Sequence, residues 1–223
     1  MKLVLFDIDG TLINPAGAGT RSANAAFLDI FEIEEAFAGI RMAGKTDIRI
    51  MKEGLAANRI LLEDGIMGRI LSRYLLHLER EIKTPEKRLM PGVEEVLEVL
   101  ERREDVHLGL LTGNIEQGAR IKLAPFSLNE RFPCGAFGDD HEDRDRLLPI
   151  AARKFRALKG LDVPPADCIV VGDTPADVRC AKLHGATAVA VATGPYDLET
   201  LMRTEADYAF EDLPAAASVL RGL

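Results

Sequence analysis

Short apolar runs in this chain end three times in polar clusters. Leu3–Phe6 is followed by Asp7, Ile8, Asp9, Gly10 and Thr11. His107–Leu111 is followed by Thr112, Gly113 and Asn114, and Cys168–Val171 by Gly172, Asp173, Thr174, Pro175, Ala176 and Asp177. Such runs suit strands buried on both faces. In an open α/β sheet, ligands bind beyond the carboxyl ends of the strands, which brings these acids and hydroxyls to one rim. Asp7 and Asp173 crowded there repel, and one must keep a proton unless a cation intervenes. Mg²⁺ fits the need, because it takes oxygen ligands and is commonly held by one or two carboxylates plus a substrate phosphate. Asp7 then stays ionised and can attack phosphorus. Asp9, two residues on, can hold a proton for the leaving oxygen. The Thr112 hydroxyl and the N–H groups of Gly113 and Asn114, near a helix start, offer a seat for phosphate oxygens. Each cluster alone has an ordinary reading as a turn or a helix cap. Their ordered placement at the ends of separate strands is what points to chemistry.

The elements that must position these residues are legible in the hydrophobic pattern. Thr187–Thr193 predicts a fourth strand and Tyr208–Phe210 a short one at an edge. Between strands the period changes to a helical one. After a Pro91-Gly92 start signal, Val93, Val96, Leu97, Val99 and Leu100 share a helix face, as do Leu147, Ile150, Ala151, Phe155 and Leu158 further on. Val178, Ala181 and Leu183 suggest another helix. Strands alternating with such helices predict an open, Rossmann-like α/β fold with a parallel sheet. Residues from about Thr20 to Lys87 break the alternation. Ile48, Met51 and Leu55, then Ile66, Ile70, Leu71, Leu75 and Leu78, have helical spacing and no strand among them. The simplest organisation is a core of residues 1–14 and 89–223 with an inserted α-helical subdomain over 15–88, entered and left through the turn-rich stretches Asn14–Gly19 and Thr84–Gly92.

Composition narrows the partners. The 223 residues are 47% apolar and 29% charged, which suits a soluble globular protein with a core of its own. The net charge of −8 repels a polyphosphate backbone, and aromatics at 5% with no Trp leave few stacking platforms, so nucleic acid is not an expected partner. Cys134, Cys168 and Cys180 match neither a disulfide framework nor a zinc signature, and reduced thiols in a cytoplasm are expected. The N-terminal apolar run is too short for a signal-peptide core, and no stretch approaches the ~20 residues of a membrane span.

The motifs Asp7-Ile8-Asp9-Gly10-Thr11, Leu111-Thr112-Gly113-Asn114 and Gly172-Asp173-Thr174-Pro175-Ala176-Asp177 together resemble those of the haloacid dehalogenase superfamily, in the same order and over nearly the whole chain. The chain is most similar to the phosphoglycolate phosphatase-like branch, in which a helical cap follows the first motif. The resemblance implies that Asp7 is the nucleophile that becomes an aspartyl-phosphate. It makes Asp9 the general acid and then the base for the attacking water, and Thr112 a ligand of the transferring phosphoryl. Mg²⁺ would be held by Asp7, the backbone carbonyl of Asp9 and Asp173, with Thr11 and Asp177 supporting. The dehalogenases lack the second acid of the first motif, so Asp9 argues for phosphate-ester hydrolysis. The sequence departs from the family at its basic motif: no Lys-Pro pair precedes the helix at Leu147–Leu158. Arg144 is assigned that role as a phosphate-binding residue, with Arg146 as the substitute. The turn Gly44-Lys45-Thr46-Asp47 resembles the cap loop that faces the active site, which makes Gly44, Lys45 and Thr46 candidate substrate contacts. The expected substrate is a small phosphorylated metabolite and the expected assembly a monomer or homodimer.

Three other readings compete. A phosphomutase would use the same two acids and return the phosphoryl to a sugar hydroxyl. Gly39–Thr46 matches G-x-x-x-x-G-K-[ST], the phosphate loop of nucleotide hydrolases, although that loop needs a buried strand directly before it and Glu34–Ala38 makes a poor one. A phospho-receiver domain also gathers acids around Mg²⁺, but on separate strands and without so large a helical insertion.

Overall fold

The computed structural model describes residues 1–222. Eight strands are present among the described residues: β1 (Lys2–Phe6), β2 (Ile13–Asn14), β3 (Arg88–Leu89), β4 (Val106–Leu111), β5 (Gly135–Ala136), β6 (Cys168–Gly172), β7 (Thr187–Val191) and β8 (Tyr208–Phe210). Six form one all-parallel sheet in the order β5-β4-β1-β6-β7-β8. The first strand lies in the middle, flanked by β4 and β6. The chain builds outward on one side to β5 and then returns to the other side of β1. That reversal leaves a crevice at the carboxyl ends of β1, β4 and β6.

The sheet is central because its strands are apolar on both faces. In β1, Val4 and Phe6 join one hydrophobic cluster and Leu3 and Leu5 another. β6 and β7 divide in the same way, with Ile169, Val171, Val189 and Val191 on one side and Cys168, Val170, Ala188 and Ala190 on the other. Side chains alternate across a strand, so a continuous apolar run requires cover on both faces. Helices α4 (Val93–Glu101), α5 (Glu116–Leu123) and α9 (Leu213–Gly222) contribute to the first cluster, and α6 (Leu147–Lys159), α7 (Pro175–Lys182) and α8 (Leu198–Met202) to the second.

A third cluster belongs to the segment between β2 and β3. It contains α1 (Ala18–Phe31), α2 (Asp47–Ala57) and α3 (Ile66–Glu81). Phe27, Phe37, Met51, Leu55, Ile70, Tyr74 and Leu78 pack there, with Phe27 edge-on to Phe37 at 4.7 Å between ring centroids. Ile115, at the start of α5, and the partly buried Ile121 join it from beyond this segment. The two chain crossings are tied by the antiparallel pair β2–β3, in which Ile13 faces Leu89 and Asn14 faces Arg88.

Several boundaries differ from the sequence-based expectation. The fourth predicted run ends as a strand at Val191, two residues early. Leu158 and Leu183, placed on buried helix faces by their spacing, are exposed, because each lies at the end of its helix where the apolar stripe has rotated past the core. β5 has only two residues and carries no apolar run, and the β2–β3 ribbon occupies stretches read as turns. Gly39–Thr46 follows turns rather than a strand, so it lacks the context of a nucleotide phosphate loop. Cys134, Cys168 and Cys180 are free and buried. Among the described residues no helix is long and apolar enough to cross a membrane.

Candidate active site

Parallel pairing sets Asp7, Thr112 and Asp173 at the same end of three adjacent strands, because each directly follows its strand. Asp7 donates its backbone N–H to the Val171 carbonyl at 2.9 Å, which continues the ladder one residue past β1. Its carboxylate lies 3.2 Å from Nη2 of Arg144. The same nitrogen donates to Asp177 Oδ1. Arg144 stands on a single 3₁₀ turn before α6 and is buried, whereas Arg146, two residues on, is exposed and 3.9 Å from Asp143. Burial works against the charge on Arg144, but Asp177 and Asp7 hold it protonated. Asp177 is otherwise committed to its own helix. Its Oδ2 accepts from the Thr174 N–H at 3.0 Å and from the Thr174 hydroxyl at 2.7 Å, while Thr174 caps the first turn of α7. This is a capping box, which satisfies donors at the helix start.

Asp173 is buried, and Thr11 Oγ1 donates to its Oδ1 at 3.0 Å. Gly10 passes directly over this carboxylate. A Cβ on Gly10 would lie 2.5 Å from Asp173 Oδ2, and its φ of +85° is one that glycine adopts without strain. Burial first, then the charges of Asp7 and Asp177, push the Asp173 carboxyl well above its usual range. Burial likewise raises Asp7 to about 6, against the pull of Arg144.

Asp7, Asp173 and Asp177 have carboxylate oxygens within 4.8 Å of one another. The donor set is all hard oxygen, and its buried acids have only the one guanidinium of Arg144 among them. Both features fit a divalent cation such as Mg²⁺. Asp177 has its oxygens taken by Arg144 and Thr174, so Asp7 and Asp173 are the carboxylates with capacity for such an ion.

Asp9 sits apart from this group. Its Oδ2 accepts from Lys122 Nζ and from Asn114 Nδ2, both at 2.7 Å, while its buried Oδ1 has no hydrogen-bond partner. Asn114 also donates to Thr112 Oγ1 at 2.9 Å and accepts from Lys122 Nζ at 2.6 Å. Lys122 is the residue that sequence reasoning missed. It is buried, and Asp9 and Asp47 hold its charge against desolvation. A lysine on the buried face of an otherwise amphipathic α5 is a signal, but its partner lies 113 positions away and no spacing rule reaches that far.

The turn Gly44-Lys45-Thr46 closes the rim from the helical segment. Thr46 caps α2, accepting from the Arg49 N–H at 3.3 Å, and its hydroxyl donates to the Glu142 carbonyl at 2.7 Å. Lys45 pairs with Glu53 at 2.5 Å. Gly113 is pressed against this turn. A Cβ there would lie 2.1 Å from the Lys45 carbonyl, and its own carbonyl accepts from the Asp47 N–H at 2.7 Å. The Asp47 carboxylate accepts from the Ile115 N–H at 3.0 Å, at the start of α5, where no side chain of that helix caps it. Asp7, Asp9, Lys45, Asp47, Tyr74, Thr112, Lys122, Arg144 and Asp173 line a cavity of about 370 Å³, whereas Thr46 is fully buried and is not part of its lining.

Burial raises Asp47 from its usual 3.8 to about 6, against Lys122 and the Ile115 amide. The folded protein therefore keeps a proton that the unfolded chain releases between those values. The contribution of Asp47 to stability falls as pH rises through that window and is level above it. Urea unfolding of wild type and Asp47→Asn should show the wild-type advantage shrinking by about 3 kcal/mol between about pH 4 and pH 6.5. A difference independent of pH would contradict the raised carboxyl.

A profile of haloacid dehalogenase-like hydrolases matches residues 1–185. A phosphoglycolate phosphatase of Synechococcus elongatus is 27% identical over 95% of this chain and 93% of its own length. A phosphoglycolate phosphatase of Rhodospirillum rubrum is 28% identical, over 95% and 87%. Among solved structures, a hydrolase from Pseudomonas syringae superposes with a TM-score of 0.75 at 24% identity, covering 100% of this chain and 99% of that one. CbbY from Rhodobacter sphaeroides in complex with phosphate superposes with a TM-score of 0.76 at 17% identity, over 99% of each chain. With the family profile covering most of its length, this chain belongs to the haloacid dehalogenase-like hydrolases.

Proposed function

We propose that this hydrolase is a Mg²⁺-dependent phosphatase that removes the phosphoryl group from a small phosphorylated metabolite through an aspartyl-phosphate on Asp7. The observation that carries the reading is the division of labour between two aspartates two residues apart. Asp7 lies among acids and one buried arginine, while Asp9 lies against a lysine and an amide with one oxygen left over.

Asp7, Asp173 and the Asp9 carbonyl would hold the ion, which when bound supplies positive charge opposite the nucleophile and the phosphoryl oxygens. The remaining steps belong to side chains. Arg144 matches the charge of Asp7 and offers donors to the phosphoryl group. Thr112 and the backbone at Gly113 and Asn114 receive its other oxygens. An Asp7 oxygen attacks phosphorus as the bond to the alcohol oxygen breaks, and the departing oxygen takes the proton carried on Asp9. Lys122 and Asn114 pin Asp9 Oδ2, which leaves Oδ1 as the atom that gives the proton. Water then attacks the aspartyl-phosphate and passes its proton back to Asp9, releasing phosphate and restoring both carboxyls. The helical segment over 15–88 acts as the cap, with Gly44, Lys45 and Thr46 sealing the rim during transfer. The cavity of about 370 Å³ accommodates a small metabolite rather than a macromolecule.

Four experiments test this. Asp7→Asn should lower turnover by about 10³-fold or more while the protein remains folded by circular dichroism. Wild type quenched in acid during turnover of a ³²P-labelled ester should carry label at Asp7; label elsewhere would end the proposal. Asp9→Asn should slow alkyl phosphates by about 10²–10⁴-fold and p-nitrophenyl phosphate far less, because that leaving oxygen needs no proton. Equal slowing of both would remove the acid role. Gly10→Ala should push the Asp173 carboxylate aside and weaken Mg²⁺ binding, read by calorimetry, by about 10-fold or more. Transfer of the phosphoryl to a second hydroxyl, without release of phosphate, would assign a mutase instead.

A further inference from the structure

A leaving alcohol that takes its proton from Asp9 would lie on the Asp9 side of the cavity, away from Arg144 and Asp173. The charges there are already matched within the chain. Lys122 is held by Asp9 at 2.7 Å and by the Asn114 carbonyl oxygen at 2.6 Å, with Asp47 as its second acid. Lys45, the cation of the rim turn, is paired with Glu53 at 2.5 Å. Arg144 is shared between Asp7 and Asp177 on the phosphoryl side. Among the described residues, no cation lining the cavity is without an acidic partner. With the proton that Asp9 carries as the acid, Asp47 alone balances the amine of Lys122, so no positive charge is left over on this side. Asp47 is buried at the base of the turn, and its neighbours are the Ile115 N–H and the hydroxyl of buried Tyr74.

A second negative charge brought into this space would meet Asp47 at low dielectric with no cation to receive it. A hydroxyl would meet acceptors in Asp47 and in the Tyr74 oxygen, whose own proton goes to Asp47. We infer that the chain selects phosphoesters whose leaving alcohol is uncharged and carries a further hydroxyl, and rejects those whose leaving group bears a carboxylate or a second phosphate. Selectivity here is repulsive: the buried Asp47 carboxylate stands against the wrong ligand, and the cation beside it is already matched. The inference rests on the phosphatase reading above and narrows its substrate class. It also separates this chain from the relatives named as phosphoglycolate phosphatases, whose named substrate ends in a carboxylate.

The test compares kcat/KM, with saturating Mg²⁺, for 2-hydroxyethyl phosphate, 2-phosphoglycolate and pyrophosphate. The first two have the same length and differ in a hydroxymethyl group against a carboxylate. Wild type should favour 2-hydroxyethyl phosphate over either anion by about 10-fold or more. Asp47→Asn keeps an acceptor for the Ile115 N–H and removes the charge, so the preference over 2-phosphoglycolate should fall by about 10-fold, chiefly through KM. Glu53→Gln, at a partly exposed position, frees Lys45 and should move the ratio in the same direction. A wild type that turns over 2-phosphoglycolate as well as its neutral counterpart would overturn the inference, as would a ratio unmoved in both variants. p-Nitrophenyl phosphate is assayed on the same preparations. No turnover of it or of the other esters would remove the phosphatase reading and this inference with it, whereas turnover with the opposite preference removes the inference alone. If p-nitrophenyl phosphate is the one ester hydrolysed, the inhibition constants of 2-hydroxyethyl phosphate and 2-phosphoglycolate decide by the same criterion.

Discussion

Buried negative charge at the ends of the central strands is the constraint around which the rest of the structure is arranged. Asp7, Asp173 and Asp177 have oxygens within 4.8 Å of one another, and all three side chains are removed from water. Like charges this close, in a place that cannot hydrate them, would raise one another's proton affinity until they neutralised. Asp7 and Asp173 carry that strain visibly, both lifted above the ordinary carboxylate range. Asp177 is bound to Arg144 and to the first turn of α7. The protein supplies one guanidinium to three acids, and what is left is a place that a hard divalent cation would suit.

Arg144 and Lys122 divide the cationic work. Each is buried, reaches the rim from the start or the buried face of an element, and is held charged by two acids. Arg144 serves Asp7 and Asp177, and Lys122 serves Asp9 and Asp47. The two aspartates of the first motif therefore stand in different electrostatic surroundings although one residue separates them. Chain geometry allows this: past the end of β1 the backbone turns from Ile8 onward, and Asp7 meets Arg144 while Asp9 meets Lys122 of α5.

Asp47 links the helical segment to the core at the same place. Its backbone N–H donates to Gly113 and its carboxylate accepts from Ile115, so one residue grips both ends of the loop that carries Asn114. Gly113 permits the approach, since any Cβ would collide with the Lys45 carbonyl. The third hydrophobic cluster includes Ile115 as well, which gives the contact an apolar backing. The walls of the cavity are thus drawn from two separate packing units, and its polarity is set where they meet.

Reading the chain residue by residue went far where physics is local. A continuous apolar run implies a doubly covered strand, so β1, β4, β6 and β7 were legible, and the residues following β1, β4 and β6 had to share a rim once the strands were taken as parallel. The sheet, the helical insertion and the acids at the strand ends follow from such patterns. Two-residue strands such as β5 carry too few side chains to leave a period, and they form because a neighbour offers backbone groups to pair with. Lys122 was silent, and Asp47 stood out only as the end of the cap-loop turn, for a related reason. Their meaning lies in contacts with Asp9 and Ile115, 113 and 68 positions away, and a charged residue in a helix reads as solvated until the fold buries it. The choice between Arg144 and Arg146 had the same character, since both share one short turn and only packing against Asp7 and Asp177 separates the buried one from the exposed one. What the sequence determined by itself was the set of groups able to do chemistry. Which of them are desolvated and paired, and so how their charges balance, was decided by tertiary structure, because burial is a property of the folded whole.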